Sequence, residues 1–450
     1  MLMRLIALAM LLAALVAAQT QSTAPTLQIP AAAQAGPAFN VDAATHAWLA
    51  TMTSEQKNRS DSYFEGGYWL ILWDFLYGAA ICIVLLSTRW SARMRDLAER
   101  ITRFRPLQTF FYWFQYSIAV FILGYPLTVY EGFLREHKYG LSNQSFGAWM
   151  GDQGKGLAVG VILGGLLAMM LFGIVRKLPR TWHIWGAVAM IVFLAFVQLI
   201  APIYIAPLFN KYTLLQDARI RDPILRIARQ NGIPAKEVWQ VDASRQSKRV
   251  SANVSGFLGT ERITLNDNLL NRCSPQAIMA VMGHEMGHYV LNHVYKGLAY
   301  AVIIVVLSFA FLRWALLWSL ARWGAVWKIR GLGDVAVLPL AVLIFSIIFF
   351  VLTPVTNTLS RTDEYEADIF GLNTSRQPDG FAEAALLLAE YRKMQPGPLE
   401  EIIFYDHPSG YTRIHAAMRW KAENLCLGEA VNPCGGAGTQ PAAAAQAAPH

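Results

Sequence analysis

Long apolar segments alternate with polar ones along the chain, and six of the apolar segments approach the length of a membrane span. A helix of about 20 apolar residues crosses the roughly 30 Å hydrocarbon core of a bilayer. The six segments lie at about 68–88, 109–130, 157–175, 184–206, 298–320 and 336–356. The pattern therefore predicts an α-helical integral membrane protein, with four spans in 67–206 and two in 298–356.

The remaining segments near the two termini differ in composition from these spans. Residues 1–18 contain Arg4, an apolar run and small residues up to Ala18, which is typical of a signal peptide or signal anchor. Residues 19–66 are polar with scattered alanine and proline, and we expect little packed structure there. Residues 426–450 are of low complexity and rich in alanine and glycine, so we expect a disordered tail.

Two polar regions, 207–297 and 357–425, have the patterns of compact α+β structure. In the first, "LLQDARIRDPILRIARQNG" has helical spacing, "EVWQVD" resembles a strand, and "SANVSGFLGTERITLND" alternates as a β-hairpin does. A further helix is predicted from about 275 to 294. The second region combines amphipathic helix and loop, and we expect it to complete the same domain.

The composition agrees with a membrane protein, because 55% of residues are hydrophobic and 15% are charged, against roughly 25% charged in soluble domains. The net charge of +8 raises the possibility of a nucleic-acid partner. However, the basic residues cluster beside the spans, at 89–105, 176–180 and 322–330. No aromatic and basic module accompanies them, so we expect no nucleic-acid binding.

The positions of these basic loops also predict an orientation. Loops rich in Arg and Lys face the cytoplasm in most membrane proteins. The polar regions 207–297 and 357–425 should then lie on the non-cytoplasmic side. Together with the signal-like N-terminus, this charge pattern is typical of a bacterial inner-membrane protein.

A His-Glu-x-x-His sequence lies within "GHEMGHYVLNH" at 283–293. On a helix, His284 and His288 leave the same face and can bind one metal ion at about 2.0–2.1 Å. Glu285 lies about 100° around the helix from His284, where it can act on a metal-activated water without being a ligand. The alternative is a helix whose histidines serve only structure.

Two glycines beside the motif favour the metal site over the structural alternative. Gly283 and Gly287 flank His284 on the predicted helix, and each glycine costs about 1 kcal/mol of helix stability relative to alanine. A helix that merely packs gains nothing from them. We therefore predict that they let another element approach the metal closely.

A third ligand is predicted in "SRTDEYEADIFG" at 360–371. Glu364 and Asp368 are four residues apart and share a helical face, whereas Glu366 is about 200° from Glu364. We assign Glu364 as the ligand and Asp368 as a carboxylate that orients a ligand histidine. A solvated acidic helix start is the alternative. His293 falls off the metal face, so a supporting role is predicted for it rather than ligation.

The chain resembles the integral-membrane zinc metallopeptidases of the type I CaaX prenyl endopeptidase family. Besides the His-Glu-x-x-His and later Glu-x-x-x-Asp motifs, the similar segments are "EGFLREHKYGLSNQSFGAWMGDQGK", "IAPLFNKYTLL", "VDASRQSKRVSANVSGF" and "DHPSGYTRI". They follow the family's order and cover most of 108–420. The resemblance implies a multi-span helical chamber with a gluzincin-like α+β zinc protease domain, one catalytic Zn²⁺ and hydrolysis by metal-activated water.

The resemblance also implies roles outside the helix that carries the motif. Asn253 matches the edge strand along which a polypeptide substrate lies. His407 and Arg413 match the C-terminal motif and would face the active site as donors to the developing oxyanion. The implied partners are a polypeptide substrate, membrane-associated or lipidated, and the lipid bilayer.

The sequence leaves the substrate and one further class of function open. A protease that removes the last residues of prenylated proteins and a quality-control protease for damaged membrane or exported proteins both fit. A non-catalytic membrane scaffold with a structural zinc site is the third possibility, and Glu285 disfavours it because a structural site has no use for a general base. Cys426 and Cys434 are a possible disulfide pair if that end faces an oxidising compartment.

Overall fold

The computed structural model describes residues 25–255 and 262–425. Within these residues, six helices are long and apolar enough to cross a membrane, which confirms the six predicted spans. They are α2 (Ser54–Ser87), α4 (Arg105–Lys138), α5 (Phe146–Lys177), α6 (Trp182–Leu208), α10 (His293–Trp323) and α11 (Leu338–Ser375). The predicted signal segment 1–18, the tail 426–450 and the two C-terminal cysteines lie outside the described residues.

The last span is much longer than its apolar segment suggested. Helix α11 continues past the bilayer-length stretch to Ser375, and its 38 residues correspond to about 57 Å. Its polar half contains the sequence of the predicted third ligand. Arg361 on this half donates to the carbonyl oxygens of Glu401 at 2.8 Å and Tyr405 at 2.6 Å. Glu364 and Asp368 thus lie on the continuation of a membrane-length helix rather than on a separate domain.

The expectation of little packed structure in 19–66 is wrong for the described part of that segment. Helix α1 (Val41–Leu49) begins at Asn40, whose side chain accepts from the Ala43 amide at 2.8 Å. Trp48 is 3% exposed and joins a core shared with the C-terminal helix. The apolar positions are too few and too widely separated in sequence to indicate this packing, because their partners lie more than 300 residues away.

The ends of the spans define two poles of the molecule. At one pole, α3 (Trp90–Ile101) packs beside α4, and the loop before α11 closes over it through an ion pair of 2.6 Å between Arg95 and Asp334. At the other pole lie the sheet and the remaining helices, which are α7 (Ala218–Gln230), α8 (Asp267–Arg272), α9 (Pro275–Val290), α12 (Pro378–Leu388), α13 (Pro398–Phe404) and α14 (Gly410–Asn424).

A four-stranded sheet forms from the polar region between the fourth and fifth spans. Its strands are β1 (Tyr212–Leu214), β2 (Val238–Val241), β3 (Ala252–Ser255) and β4 (Arg262–Asn266), in the order β1-β2-β4-β3. The predicted hairpin is present, since β3 and β4 pair antiparallel. Only the β2–β4 pairing is parallel among the described strands. Strand β3 is therefore an edge strand, and it packs beside α9.

The predicted helix at 275–294 is two helices. Helix α9 begins after Ser274, whose hydroxyl accepts from the Ala277 amide, and it ends at Val290. Asn292 then adopts a left-handed φ of 57°, and α10 starts at His293. Asparagine tolerates this conformation better than most residues. The break turns the chain from the soluble domain into the fifth span.

Candidate active site

Helix α9 is held against α11 by backbone contact at its glycines. A Cβ on Gly283 would lie 2.9 Å from the carbonyl oxygen of Gly371, and one on Gly287 would lie 3.1 Å from the Cα of Ala367. A Cβ on Gly371 would lie 2.7 Å from the amide nitrogen of His284. The small residues therefore let the two helices approach so closely that side chains from both converge.

Replacing Gly371 by alanine should separate these helices and weaken the site. The new methyl group meets backbone rather than a flexible side chain, so relief requires a helix shift, for which overpacking typically costs about 1–3 kcal/mol. We expect a lower thermal unfolding temperature and weaker metal retention in purified protein.

Gly297→Ala is the matched control for this substitution, because it is also a helical glycine but a Cβ there meets nothing within 4 Å. It should leave both measurements unchanged or raise stability slightly, since alanine favours helix. If Gly371→Ala behaves like Gly297→Ala, close approach at this point does not shape the site.

Three potential metal ligands meet where α9 and α11 touch. The Nε2 atoms of His284 and His288 are 3.1 Å apart, and Glu364 oxygens lie 3.2 Å from the first and 3.5 Å from the second. All three donor atoms lie within 4.8 Å of one another. Donors bound to one tetrahedral zinc at 2.0–2.1 Å are separated by about 3.3 Å. The observed separations fit one ion of that size.

The charge distribution also fits a cation. Glu364 Oε2 is buried and makes no well-aligned hydrogen bond in the described part of the chain, although Nε2 of both His284 and His407 lies 3.2 Å away. The two imidazole nitrogens that face it suit a metal as lone-pair donors, and a set of two nitrogens and one carboxylate matches catalytic zinc sites. A metal ion bound between the three groups would place a positive charge beside this buried carboxylate.

A buried ion pair fixes the first histidine. Asp368 is 1% exposed, and its Oδ1 lies 2.7 Å from Nδ1 of His284. Arg413, on α14, donates to the same carboxylate through Nε at 2.9 Å and Nη2 at 2.6 Å. Burial opposes the charge of Arg413, but Asp368 raises its pKa above the ordinary value. A carboxylate against Nδ1 leaves Nε2 directed at the metal position.

His288 is supported by a series of side-chain contacts that the sequence only partly indicated. His293 Nδ1 lies 2.9 Å from His288 Nδ1, and its Nε2 lies 3.2 Å from Glu366. Lys296 donates to the same Glu366 oxygen. His293, Asp363 and Glu366 also form a second group with metal-ligand spacing. Lys296 lies within ion-pair distance of both carboxylates and supplies a positive charge there.

Glu285 lines a cavity and is not among the three converging donors. The cavity has a volume of about 220 Å³, and its lining includes His284, Glu285, His407 and Arg413. Burial is the main cause that raises the pKa of Glu285, with His284 and His288 opposing it. A carboxylate that lines a cavity beside the candidate metal position has the placement that a general base requires.

The segment "DHPSGYTRI" brings His407 to the same cavity. Its Nε2 lies 3.2 Å from Oε2 of Glu364, and its Nδ1 lies 2.8 Å from Asp406. Burial would raise the pKa of Asp406, but the bond to His407 lowers it. Ser409 then starts α14 by accepting from the Thr412 amide, which places Arg413 one turn further on.

The predicted site residues therefore lie in two groups. His284, Glu285, His288, Glu364, Asp368, His407 and Arg413 are gathered around one cavity wall. Asn253 is exposed on the open edge of β3, while Ser251 and Ala252 before it line the cavity. Glu366 was missed as the partner of His293, and Lys296 as the partner of Glu366, because Glu366 lies 73 residues from His293 on another helix.

Two sequence profiles match the chain. One, described as CAAX prenyl protease N-terminal with five membrane helices, matches residues 43–211, and Peptidase family M48 matches 214–421. The CAAX prenyl protease 1 homolog of Arabidopsis thaliana is 30% identical over 303 residues, which is 66% of this chain and 70% of that protein. The chain belongs to peptidase family M48.

Other relatives of this M48 peptidase agree. The uncharacterized metalloprotease YhfN of Bacillus subtilis (strain 168) is 29% identical over 338 residues, 75% of this chain and 79% of that one. CAAX prenyl protease 1 of Saccharomyces cerevisiae is 28% identical over 316 residues, 66% of this chain and 68% of that one. The crystal structure of Ste24p from S. mikatae superposes with a TM-score of 0.66 at 22% identity, covering 82% of this chain and 89% of that one.

These similarities confirm the predicted enzyme class, a metalloprotease. The M48 peptidase is an integral-membrane metalloprotease with the helical chamber fold, and its substrates are polypeptides. They do not favour a non-catalytic scaffold. The predicted fold class and family resemblance are confirmed with them.

Proposed function

We propose that the protein is a zinc-dependent endopeptidase whose metal is held by His284, His288 and Glu364. The observation that carries this proposal is the meeting of their three donor atoms within 4.8 Å at the contact of α9 and α11. Two imidazoles and one carboxylate are a common ligand set of catalytic zinc. Asp368 and His293 hold the outer nitrogens of the two histidines.

The chemistry is peptide-bond hydrolysis. Held by these ligands, a zinc ion would supply Lewis-acid chemistry, polarising the scissile carbonyl and making water nucleophilic at neutral pH. Glu285 accepts the proton of the attacking water and delivers it to the leaving amine. His407 supplies an Nε2 donor for the developing oxyanion. Arg413 acts through Asp368, because two of its donor atoms are bonded to that carboxylate.

The substrate enters as an extended strand. The open edge of β3 lies beside the cavity and offers backbone groups to a polypeptide, in the manner of β-strand addition. Asn253 is exposed on that edge, where its amide can bond the substrate backbone. Because several relatives are named CAAX prenyl protease 1, we propose a prenylated C-terminal peptide as the substrate. A quality-control role on damaged membrane or exported proteins is the alternative.

One assay tests metal and substrate together. Purified protein is stripped with a chelator, then supplied with zinc or magnesium, and offered three substrates. These are a farnesylated CaaX peptide, the same peptide without the lipid, and an unfolded membrane protein. We expect cleavage to disappear with chelation, to return with zinc only, and to favour the farnesylated peptide. Equal cleavage of the two peptides with rapid degradation of the unfolded protein supports the quality-control alternative instead.

We propose from the positions of the basic loops which side of the membrane the metal site faces. The arginine-rich loops lie at the pole opposite the metal site, which favours a bacterial inner membrane with the active site on the non-cytoplasmic face. Lys236→Cys and Lys177→Cys change exposed lysines at opposite poles. In a background without Cys426 and Cys434, an impermeant thiol reagent applied to spheroplasts should label only the first. Labelling of only the second reverses the orientation.

A further inference from the structure

A second cavity lies at the pole opposite the metal site. It has a volume of about 290 Å³ and is enclosed by the end of α3, the start of α4, the end of α5 and the loop before α11. Four arginines line it together with two acidic residues and one glutamine, namely Arg95, Arg105, Arg176, Arg330, Glu99, Asp334 and Gln108. Its lining therefore carries an excess of positive charge.

Two of the four arginines are already neutralised. Arg95 pairs with Asp334 at 2.6 Å and with Asp96 at 2.7 Å. Arg330 pairs with Glu99 at 2.7 Å and with Asp96 at 3.2 Å. These three carboxylates tie the loop before α11 to α3, so these ion pairs serve the fold.

The other two arginines have no carboxylate partner among the residues that the structure describes. Arg176 donates to the carbonyl oxygen of Gly333 at 2.9 Å and to the hydroxyl of Thr109 at 3.1 Å, both neutral groups. The guanidinium group of Arg105 has no hydrogen bond or ion pair with any residue in 25–255 or 262–425, and only its backbone carbonyl accepts a bond, from Thr109. The two guanidinium groups lie close enough to repel each other, and Asp334 and Glu99 act against that repulsion at Arg176.

The surroundings of this cavity are apolar and exposed. Helix α3 buries Ala92, Arg95 and Ala98 on one face and exposes Leu97 and Ile101 on another. Phe104 and Leu107 next to it are 62% and 43% exposed. An amphipathic helix at the end of a membrane span lies in the interface between headgroups and acyl chains. We therefore expect the guanidinium groups of Arg105 and Arg176, which have no carboxylate partner among the described residues, to lie near the depth of lipid phosphates.

We propose that this cavity binds a phosphate group, and that the phosphate is the headgroup of an anionic phospholipid. Guanidinium groups bind phosphate oxygens through paired N–H donors, which makes arginine the preferred residue for this anion. Arg105 and Arg176 face the phosphate, Gln108 adds a polar contact, and the exposed apolar residues of α3 and α4 contact the acyl chains. Basic pockets between spans on the cytoplasmic side bind such lipids in other membrane proteins.

Native mass spectrometry of the full-length protein tests this site. The protein is titrated with phosphatidylglycerol, with phosphatidylcholine and with inorganic phosphate, and the occupancy of bound ligand is measured. We expect wild-type protein to retain phosphatidylglycerol more tightly than phosphatidylcholine. Arg105→Gln should weaken retention about tenfold, as the loss of one charge-assisted bond typically does. The double variant with Arg176→Gln should weaken it further.

Arg103→Gln is the matched control, since Arg103 is an exposed arginine in the loop just before α4 and does not line the cavity. It should retain the lipid as wild type does. The Arg105→Gln substitution removes no side-chain bond within the described chain, so this single variant still tests the site if the double variant folds poorly. Proteolytic activity at the distant metal site shows whether each variant is folded. Equal retention by wild type and Arg105→Gln, an equal loss in Arg103→Gln, or equal binding of both lipids overturns the proposal. Inorganic phosphate that displaces the lipid at similar concentration identifies free phosphate as the source.

Discussion

Glu285→Gln should abolish most proteolysis while leaving the metal bound. The glutamine side chain keeps the size of glutamate but cannot accept the proton of the attacking water, and general-base catalysis contributes about 10²–10⁴-fold to rate. Glu285 is not among the three converging donor atoms, which come from His284, His288 and Glu364. We therefore expect kcat to fall by about that factor at unchanged zinc content, measured by peptide cleavage and by elemental analysis of the same sample.

Glu423→Gln is the control for this substitution, because Glu423 is exposed on α14 and pairs only with Arg419 among the described residues. It should cleave as wild type does. Wild-type kcat in Glu285→Gln would remove Glu285 from the mechanism. Loss of zinc together with activity would instead make Glu285 a structural part of the metal site.

The sequence predicted the parts of this site that depend on local helical geometry. His284 and His288 share a face because they are one turn apart, and Glu364 and Asp368 do so for the same reason. The membrane spans were predictable from length and hydropathy. The sequence also indicated the close contact between the two site helices. Paired glycines on α9 predicted a close neighbour, and the structure places α11 there.

The sequence could not predict contacts that depend on a change of chain direction. His293 falls off the metal face if the helix is straight, yet it lies 2.9 Å from His288. The reason is the left-handed Asn292, with φ of 57°, which ends α9 and turns His293 back. The pairing of Arg413 with Asp368 is equally non-local. Resemblance alone suggested a direct role for Arg413 toward the oxyanion, whereas two of its donor atoms are bonded to the carboxylate beside His284.

Glu364→Ala should remove the metal itself. The substitution takes one of three ligands, and the site has no other carboxylate within the converging group. Substituting a residue that only supports a ligand typically costs about 10–100-fold in metal affinity, so the loss of the ligand should exceed that range. We expect zinc content to fall from near one ion per chain to near zero after dialysis, together with all proteolysis.

His407→Ala distinguishes the ligand from its neighbour. His407 Nε2 lies 3.2 Å from Glu364 Oε2, so distance alone does not exclude it from the metal's ligands. It lies outside the three-membered group, however, and its other nitrogen bonds Asp406 at 2.8 Å. If it donates to the oxyanion, His407→Ala keeps the zinc and lowers kcat. If zinc is lost from His407→Ala and kept in Glu364→Ala, the ligand is the histidine, and the carboxylate on α11 only orients it.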